Sequence, residues 1–257
     1  MIFHRSLLLA AAAVLGSAPV AAHSPYLLPN YFDATGRDHV SVQASFTERF
    51  FVPDEVMKAG DYHAVGPDGA RAALVPMYSK DVAILDVDTK LPGTYRISTG
   101  LREGTTRKAA LIKGQWEFFE AREAPANAVD MQSWTRADVY VSRGAPTDRV
   151  LAPTGLGLEL QPLVHPNRLH AGASLRLRVL FDGKPLAGQS VALQGAVSAA
   201  GDSPAPLELR TGADGSVEVP LSTPGVFQVQ ARQRVAPAAA DAKGRSYTIA
   251  LTFDVSE

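Results

Sequence analysis

The chain has 257 residues, of which 46% are hydrophobic and 20% charged, and its formal net charge is -1. This length is enough for two domains, and the scattered Lys and Arg residues form no basic run of the kind that follows a nucleic-acid backbone. Cysteine is absent, which excludes disulfides, thiolate metal ligands and cysteine nucleophiles.

The N-terminal segment has the pattern of a secretory signal peptide. Arg5 supplies a positive charge, Leu7–Gly16 form an apolar stretch, and Ser17–Ala22 are small residues suited to cleavage. We therefore expect residues 1–22 to be a signal peptide and His23 to begin the mature chain; the alternative is an uncleaved anchor. No later stretch approaches the roughly 20 apolar residues of a membrane helix. The sequence thus predicts a mature chain without a membrane span, located in the bacterial periplasm or secreted.

The first half of the mature chain is predicted to consist of short strands separated by Gly, Pro and Asp. His39–Phe46 alternates apolar and polar residues, as a half-buried strand does, and Val82–Val87, Thr94–Thr99 and Lys108–Phe119 have strand character. The segment Ser142–Leu156 is rich in Gly, Pro, Ser and Thr, which is typical of a connection between domains. We place the first β-sandwich domain at residues 23–153.

The second half has clearer hairpin signals. Ser174–Phe181 alternates strictly and is followed by Asp182-Gly183, the dipeptide most typical of a two-residue hairpin. A second hairpin is predicted from Leu207–Arg210 and Ser216–Leu221. Seven or so strands at this spacing predict an immunoglobulin-like sandwich over residues 154–257. The predicted fold is therefore all-β, with two tandem immunoglobulin-like β-sandwich domains after a cleaved signal peptide.

The sequence carries no motif of a known catalytic site. It lacks a GxSxG elbow, an HExxH helix, a P-loop and a GxGxxG turn, and no spacing isolates a catalytic carboxylate pair. We expect that the protein is not an enzyme.

Histidine provides the strongest candidate for a binding site. After cleavage behind Ala22, the free α-amine of His23 and its own ring nitrogen can chelate one metal ion together, a donor set that suits copper, nickel, cobalt or zinc. We expect His63 to face His23 across a sheet, and Glu48 to serve as a further ligand or as a partner that orients a ligand. The alternative for His23 is a terminal residue without function. His165 and His170 are expected to be exposed loop residues.

Two other functions fit the same residues. Tandem sandwiches often present edges and loops to a partner, so a structural or interaction module without metal is the first alternative. A carbohydrate-binding module is the second, through the aromatic residues near Tyr26 or through Trp116. Trp116 and Phe118 share one face of a predicted strand, which more often indicates a core position.

The mature chain resembles a known family over essentially its whole length. The segments that carry the resemblance are AHSPYLLP, GPDG, GLGLELQPLVHPNRLHAGASLRLRVLFDGKPLAGQSVAL, TGADGSVEVPLSTPG and YTIALTFDV. They are similar to the DUF4198 family, bacterial exported proteins related to the NikM-type component of nickel and cobalt uptake systems.

The resemblance implies a periplasmic β-sandwich protein associated with metal uptake, with a membrane uptake system or an outer-membrane receptor as partner. The family's early Ala-His motif matches Ala22 and His23, while Tyr26 stands where Trp is common. Because the chain lacks the membrane segment of a true uptake component, the expected function is a soluble binding or accessory protein for a divalent transition metal.

Overall fold

The structure is a computed structural model that describes residues 23–196, 205–239 and 242–257. The predicted signal peptide lies outside these described residues. The described chain consists of β-strands and short 3-10 helices, without an α-helix, which confirms the predicted all-β class. The 3-10 helices are Ala121–Glu123, Arg149–Leu151 and Pro166–Arg168.

Strands β1 to β11 belong to the first half of the chain. They are β1 (Ser24–Pro29), β2 (His39–Thr47), β3 (Glu55–Val56), β4 (His63–Val65), β5 (Arg71–Ala73), β6 (Met77–Tyr78), β7 (Ala83–Asp88), β8 (Gly93–Ser98), β9 (Arg102–Ile112), β10 (Gln115–Phe119) and β11 (Val129–Arg143). Strands β12 to β19 belong to the second half. They are β12 (Leu158–Pro162), β13 (Ser174–Phe181), β14 (Lys184–Pro185), β15 (Ser190–Gly195), β16 (Leu207–Arg210), β17 (Ser216–Pro220), β18 (Gly225–Val235) and β19 (Gly244–Val255).

The described strands form three sheets. A ten-stranded central sheet has the order β16-β15-β18-β19-β11-β8-β4-β5, with β9 paired to β11 and β10 paired to β9. A five-stranded sheet has the order β1-β2-β7-β6, with β3 beside β2, and a four-stranded sheet holds β12, β13, β14 and β17. The described strand pairs are antiparallel except that of β11 with β19, which is parallel.

The central sheet takes part in two cores because the side chains of β11 alternate between its faces. Ala137, Val139 and Val141 pack into one hydrophobic core with residues of the five-stranded sheet. Tyr140, on the other face, packs into a second core with residues of the four-stranded sheet. The two predicted sandwiches are thereby confirmed, and each uses part of the central sheet as one of its layers.

The pairing of β11 with β19 joins strands from the first and the second half of the chain in one central sheet. The boundary predicted between residues 153 and 154 lies in the connection between β11 and β12. The boundary stays a prediction.

Local turn chemistry explains one predicted hairpin and not the other. Asp182 and Gly183 both have positive φ angles, 48° and 74°, and join β13 to β14 in the predicted two-residue hairpin. The second prediction is wrong: β16 pairs with β15 in the central sheet, while β17 pairs with β13 in the four-stranded sheet. The turn at Gly215 therefore passes the chain between two sheets.

A buried cluster of four charged residues lies between the two halves. Asp138 on β11 accepts hydrogen bonds from Arg96 on β8 (2.8 Å) and from Arg136 (3.1 Å). Arg136 also donates to Glu159 on β12 (3.2 Å), and the N–H groups of Thr154 and Gly155 donate to Glu159 as well. Burial alone would raise the pKa of Asp138, but the guanidinium groups of Arg136 and Arg96 outweigh it and hold that pKa well below its usual range.

We expect Glu159→Gln to lower the free energy of unfolding by about 3 kcal/mol, because it leaves Arg136 buried with one charged partner fewer. Glu218→Gln, an exposed carboxylate on β17, serves as the matched control and should change stability by less than about 0.5 kcal/mol. Urea unfolding measures both. Equal effects of the two substitutions would contradict the role given to the cluster.

A second buried network connects the halves through His165. Its Nδ1 accepts a hydrogen bond from the Asn167 N–H (3.0 Å), so in the neutral ring Nε2 carries the proton and donates to Thr94 Oγ1 (2.9 Å). Thr94 Oγ1 donates to Ser142 Oγ, and Ser142 donates to Asn167 Oδ1, each at 2.9 Å. Every member is satisfied only while His165 is neutral.

Burial, together with the nearby Arg168 guanidinium, lowers the pKa of His165 below its ordinary value of 6.5. Below about pH 6.5, His165 therefore binds a proton in the unfolded chain but not in the folded chain. The free energy of unfolding falls as the pH decreases toward the pKa of folded His165, by up to about 1.4 kcal/mol per pH unit.

Urea unfolding at about pH 7 and about pH 5 tests this linkage. His165→Gln should weaken the fold at both pH values but lose less further stability on acidification than the parent chain does. His170→Gln, which replaces an exposed histidine, is the matched control for the loss of an imidazole. Parallel pH dependences for the parent chain and His165→Gln would contradict the assignment.

Candidate functional site

The register of β1 and β2 brings His23 and Glu48 together. Ser24 pairs with Thr47 in this antiparallel pair, and one step further the same register sets His23 opposite Glu48. His23 Nε2 lies 3.5 Å from Glu48 Oε1, and the two side chains are 44% and 54% exposed. Two of the three predicted metal ligands are therefore neighbours at the end of the five-stranded sheet, open to solvent.

The loop that follows Glu48 is held by its own hydrogen bonds. The Glu48 N–H donates to Asp54 Oδ2 (2.5 Å), and the Thr47 hydroxyl is bonded to the carbonyl oxygens of Arg49 and Val52. The backbone of Glu48 is thus fixed on both sides, although its carboxylate reaches into solvent.

Aromatic residues support this loop from below. Tyr26 on β1 is fully buried and meets the rings of Phe50 and Phe51 edge-on, at centroid distances of 6.2 and 5.5 Å. The Tyr26 hydroxyl accepts a hydrogen bond from Gln43, and burial raises the pKa of Tyr26 to about 12. Tyr26 therefore anchors the first strand.

Strand alternation indicates where the His23–Glu48 pair points. Leu27 and Ala44, which are paired in the register, face the core shared with the central sheet, and residues an even number of positions away lie on the same face. His23 and Glu48 therefore belong to this inner row. In the same row Phe46 contacts the Arg102 guanidinium, which is 5.3 Å from the ring centroid.

His63 lies away from this pair. Ala64 belongs to the core under the five-stranded sheet, so its neighbour His63 points to the opposite face of the central sheet. There the His63 Nδ1 is 2.7 Å from the Asp61 carbonyl oxygen. The expected approach of His63 to His23 across one sheet is not observed, because β1 and β4 belong to different sheets. In addition, the side chain of His63 points away from the five-stranded sheet, which contains β1.

The other histidines follow the sequence prediction in part. His170 is exposed, as expected, whereas the expectation that His165 is exposed is wrong, since it is 3% exposed within the network described above. Its partners Thr94, Ser142 and Asn167 are scattered along the chain, and no local pattern indicates that they converge. Trp116 and Phe118 lie on one face of β10, as predicted, and both are partly buried.

Among the described residues, no group of three or more His, Asp or Glu side chains could hold a metal ion. The described residues also contain no helix of the length and apolarity needed to cross a membrane.

Comparison with known protein families matches most of the chain. A family described as "Domain of unknown function (DUF4198)" matches residues 20–235. The chain belongs to the DUF4198 family. No curated protein matches this DUF4198 chain.

Several solved structures are similar to this DUF4198 protein at low identity. The D0-D1 domain of intimin shares 12% identity, with 90% of this chain and 97% of that chain covered and a TM-score of 0.23. A DUF4785 family protein from Legionella pneumophila shares 10%, with 80% and 50% covered and a TM-score of 0.26. The adhesin InvE from Yersinia pseudotuberculosis shares 11%, with 89% and 58% covered and a TM-score of 0.21.

Proposed function

We propose that the mature protein is a periplasmic binding protein that captures one divalent transition metal ion (nickel, cobalt or copper) at His23 and passes it to an uptake system. The observation that carries the proposal is the approach of His23 Nε2 to Glu48 Oε1 at 3.5 Å, fixed by the register of β1 and β2. The relation to NikM-type uptake components and the signal peptide that frees the amine are parts of the same proposal.

The chemistry of His23 explains why Glu48 matters. An N-terminal histidine chelates a metal through its α-amine and Nδ1, which leaves the Nε2–H free. A carboxylate beside Nε2 accepts this proton in a hydrogen bond, fixes the orientation of the ring and makes Nδ1 a stronger ligand. Glu48 is then a positioning residue, and His63, on the far side of the central sheet, takes no part.

Capture and release follow from the exposure of the site. Because one residue supplies both protein ligands, other coordination positions stay open to water or to ligands of a receiving protein, such as a membrane uptake system or an outer-membrane receptor. Affinity falls on acidification, because amine and imidazole bind the metal only when deprotonated.

Calorimetric titration with Ni(II), Co(II), Cu(II) and Zn(II) tests the proposal, using protein whose mass shows that it begins at His23. We expect one-to-one binding that is lost when the α-amine of His23 is acetylated, because the acetyl group removes the amine from the chelate. Glu48→Gln should weaken binding about 10- to 100-fold, and Glu55→Gln, an exposed carboxylate on the neighbouring β3, should not. Binding no tighter than about micromolar, or binding unaffected by acetylation of the amine, would contradict the proposal.

A second candidate function, an interaction module without metal, is favoured by one exposed apolar edge. Val75, Met77 and Tyr78 are 86%, 57% and 50% exposed beside β6, the end strand of the five-stranded sheet. Unpaired strand edges of this kind bind other chains. This function would be supported if no metal binds and if association in sedimentation experiments is abolished by Met77→Lys.

A further inference from the structure

The outer strands of the central sheet curl around one arginine-rich face. In the strand register, Arg234 of β18 is paired with Ser246 of β19, and Arg107 of β9 is paired with Met131 of β11. Phe118 of β10 lies on the same face, because it is paired with Ala109, two positions from Arg107. Strands β18 and β10 are four strand spacings apart, roughly 19 Å in a flat sheet. Yet the Arg234 guanidinium lies 5.5 Å from the centroid of the Phe118 ring, so this part of the sheet is strongly concave.

Two guanidinium groups meet at the ring of Phe118. The Arg107 Cζ is 5.6 Å from the ring centroid, nearly the same distance as Arg234 Cζ. Cation–π contacts of this length hold an arginine in place without consuming the hydrogen-bonding capacity of its planar fork. The ring therefore positions two like charges toward the same concave surface.

The charges of these two arginines are weakly compensated. Among the described residues Arg234 forms no salt bridge, its Nε is buried without a hydrogen bond, and burial lowers the pKa of its guanidinium. Arg107 is 3.7 Å from Glu120, an exposed pair that contributes little. Glu208 lies near this face, but it acts on Arg232, two positions from Arg234 on β18. Burial lowers the pKa of Arg232, and the charge of Glu208 only partly offsets this.

Other donors on the same face lack partners. Gln230 and Arg234 are an even number of positions apart on β18, so their side chains lie on the same face. For the same reason Thr135 shares the face of Met131 on β11. Gln230 Nε2 and Thr135 Oγ1 are buried without a hydrogen bond among the described residues. Arg107 and Arg234, two weakly compensated cations at the same ring, suit a ligand with several anionic oxygen atoms.

We propose that Arg107, Phe118 and Arg234 form a binding site for a small multivalent oxyanion, a polycarboxylate or a phosphate. Each guanidinium fork matches two oxygen atoms of a carboxylate or phosphate group, and a ligand with two such groups neutralises both arginines at once. The site is independent of the metal proposed at His23.

Tryptophan fluorescence of metal-free protein, titrated with citrate and with inorganic phosphate at constant ionic strength, tests the site. The chain has two tryptophans: Trp116 shares the face of Phe118 on β10, while Trp134 stacks on Tyr247 with ring centroids 6.4 Å apart. Trp134→Phe therefore isolates the signal of Trp116. We expect a saturable change in emission, and Arg234→Gln should weaken binding by about tenfold or more.

Arg107→Gln provides a second variant, since it replaces an exposed side chain that the fold does not need, and it should weaken binding similarly. Arg176→Gln, an exposed arginine on β13 of the four-stranded sheet, should have no effect. Saturation by citrate alone would identify a polycarboxylate ligand, and saturation by phosphate alone a phosphate. No saturation below about 10 mM, or equal responses of Arg107→Gln and Arg176→Gln, would overturn the proposal.

Discussion

Strand β11 is shared by two hydrophobic cores, and most of the structure depends on this. Its odd-numbered residues from Ala137 to Val141 complete the core under the five-stranded sheet, while Tyr140 completes the core under the four-stranded sheet. Because side chains alternate strictly along a strand, a one-residue shift of β11 would place each set in the core that the other set now fills. The buried charges of Asp138 and Arg136 add to this constraint, since a buried ion pair offsets its desolvation cost only with good geometry and further hydrogen bonds.

The same alternation decides which residues meet at the surface. It brings His23 and Glu48 onto the inner row of the five-stranded sheet and sends His63 to the far side of the central sheet. It also collects Arg107, Phe118 and Arg234 on one concave face, although they come from three different strands. The proposed metal site and the proposed oxyanion site are thus both consequences of strand register.

Local chemistry made part of this structure predictable. Apolar–polar alternation predicted the all-β class, and Asp182-Gly183 predicted its hairpin, because two consecutive positive φ angles favour such residues whatever surrounds them. The sheet that a strand joins depends on distant partners, which is why β16 and β17 were expected to pair and do not. His165 was misjudged for the same reason: its burial depends on Thr94 and Ser142, which no local pattern connects to it.

The central functional claim is that His23 binds metal through its amine and Nδ1 while Glu48 holds Nε2. Pulsed electron paramagnetic resonance of the Cu(II)-loaded mature protein tests it most directly, because echo modulation reports the remote nitrogen of a coordinated imidazole. The account predicts modulation from a single imidazole, with a nitrogen coupling that changes in Glu48→Gln. Modulation from two or more imidazoles, or none at all, would contradict it.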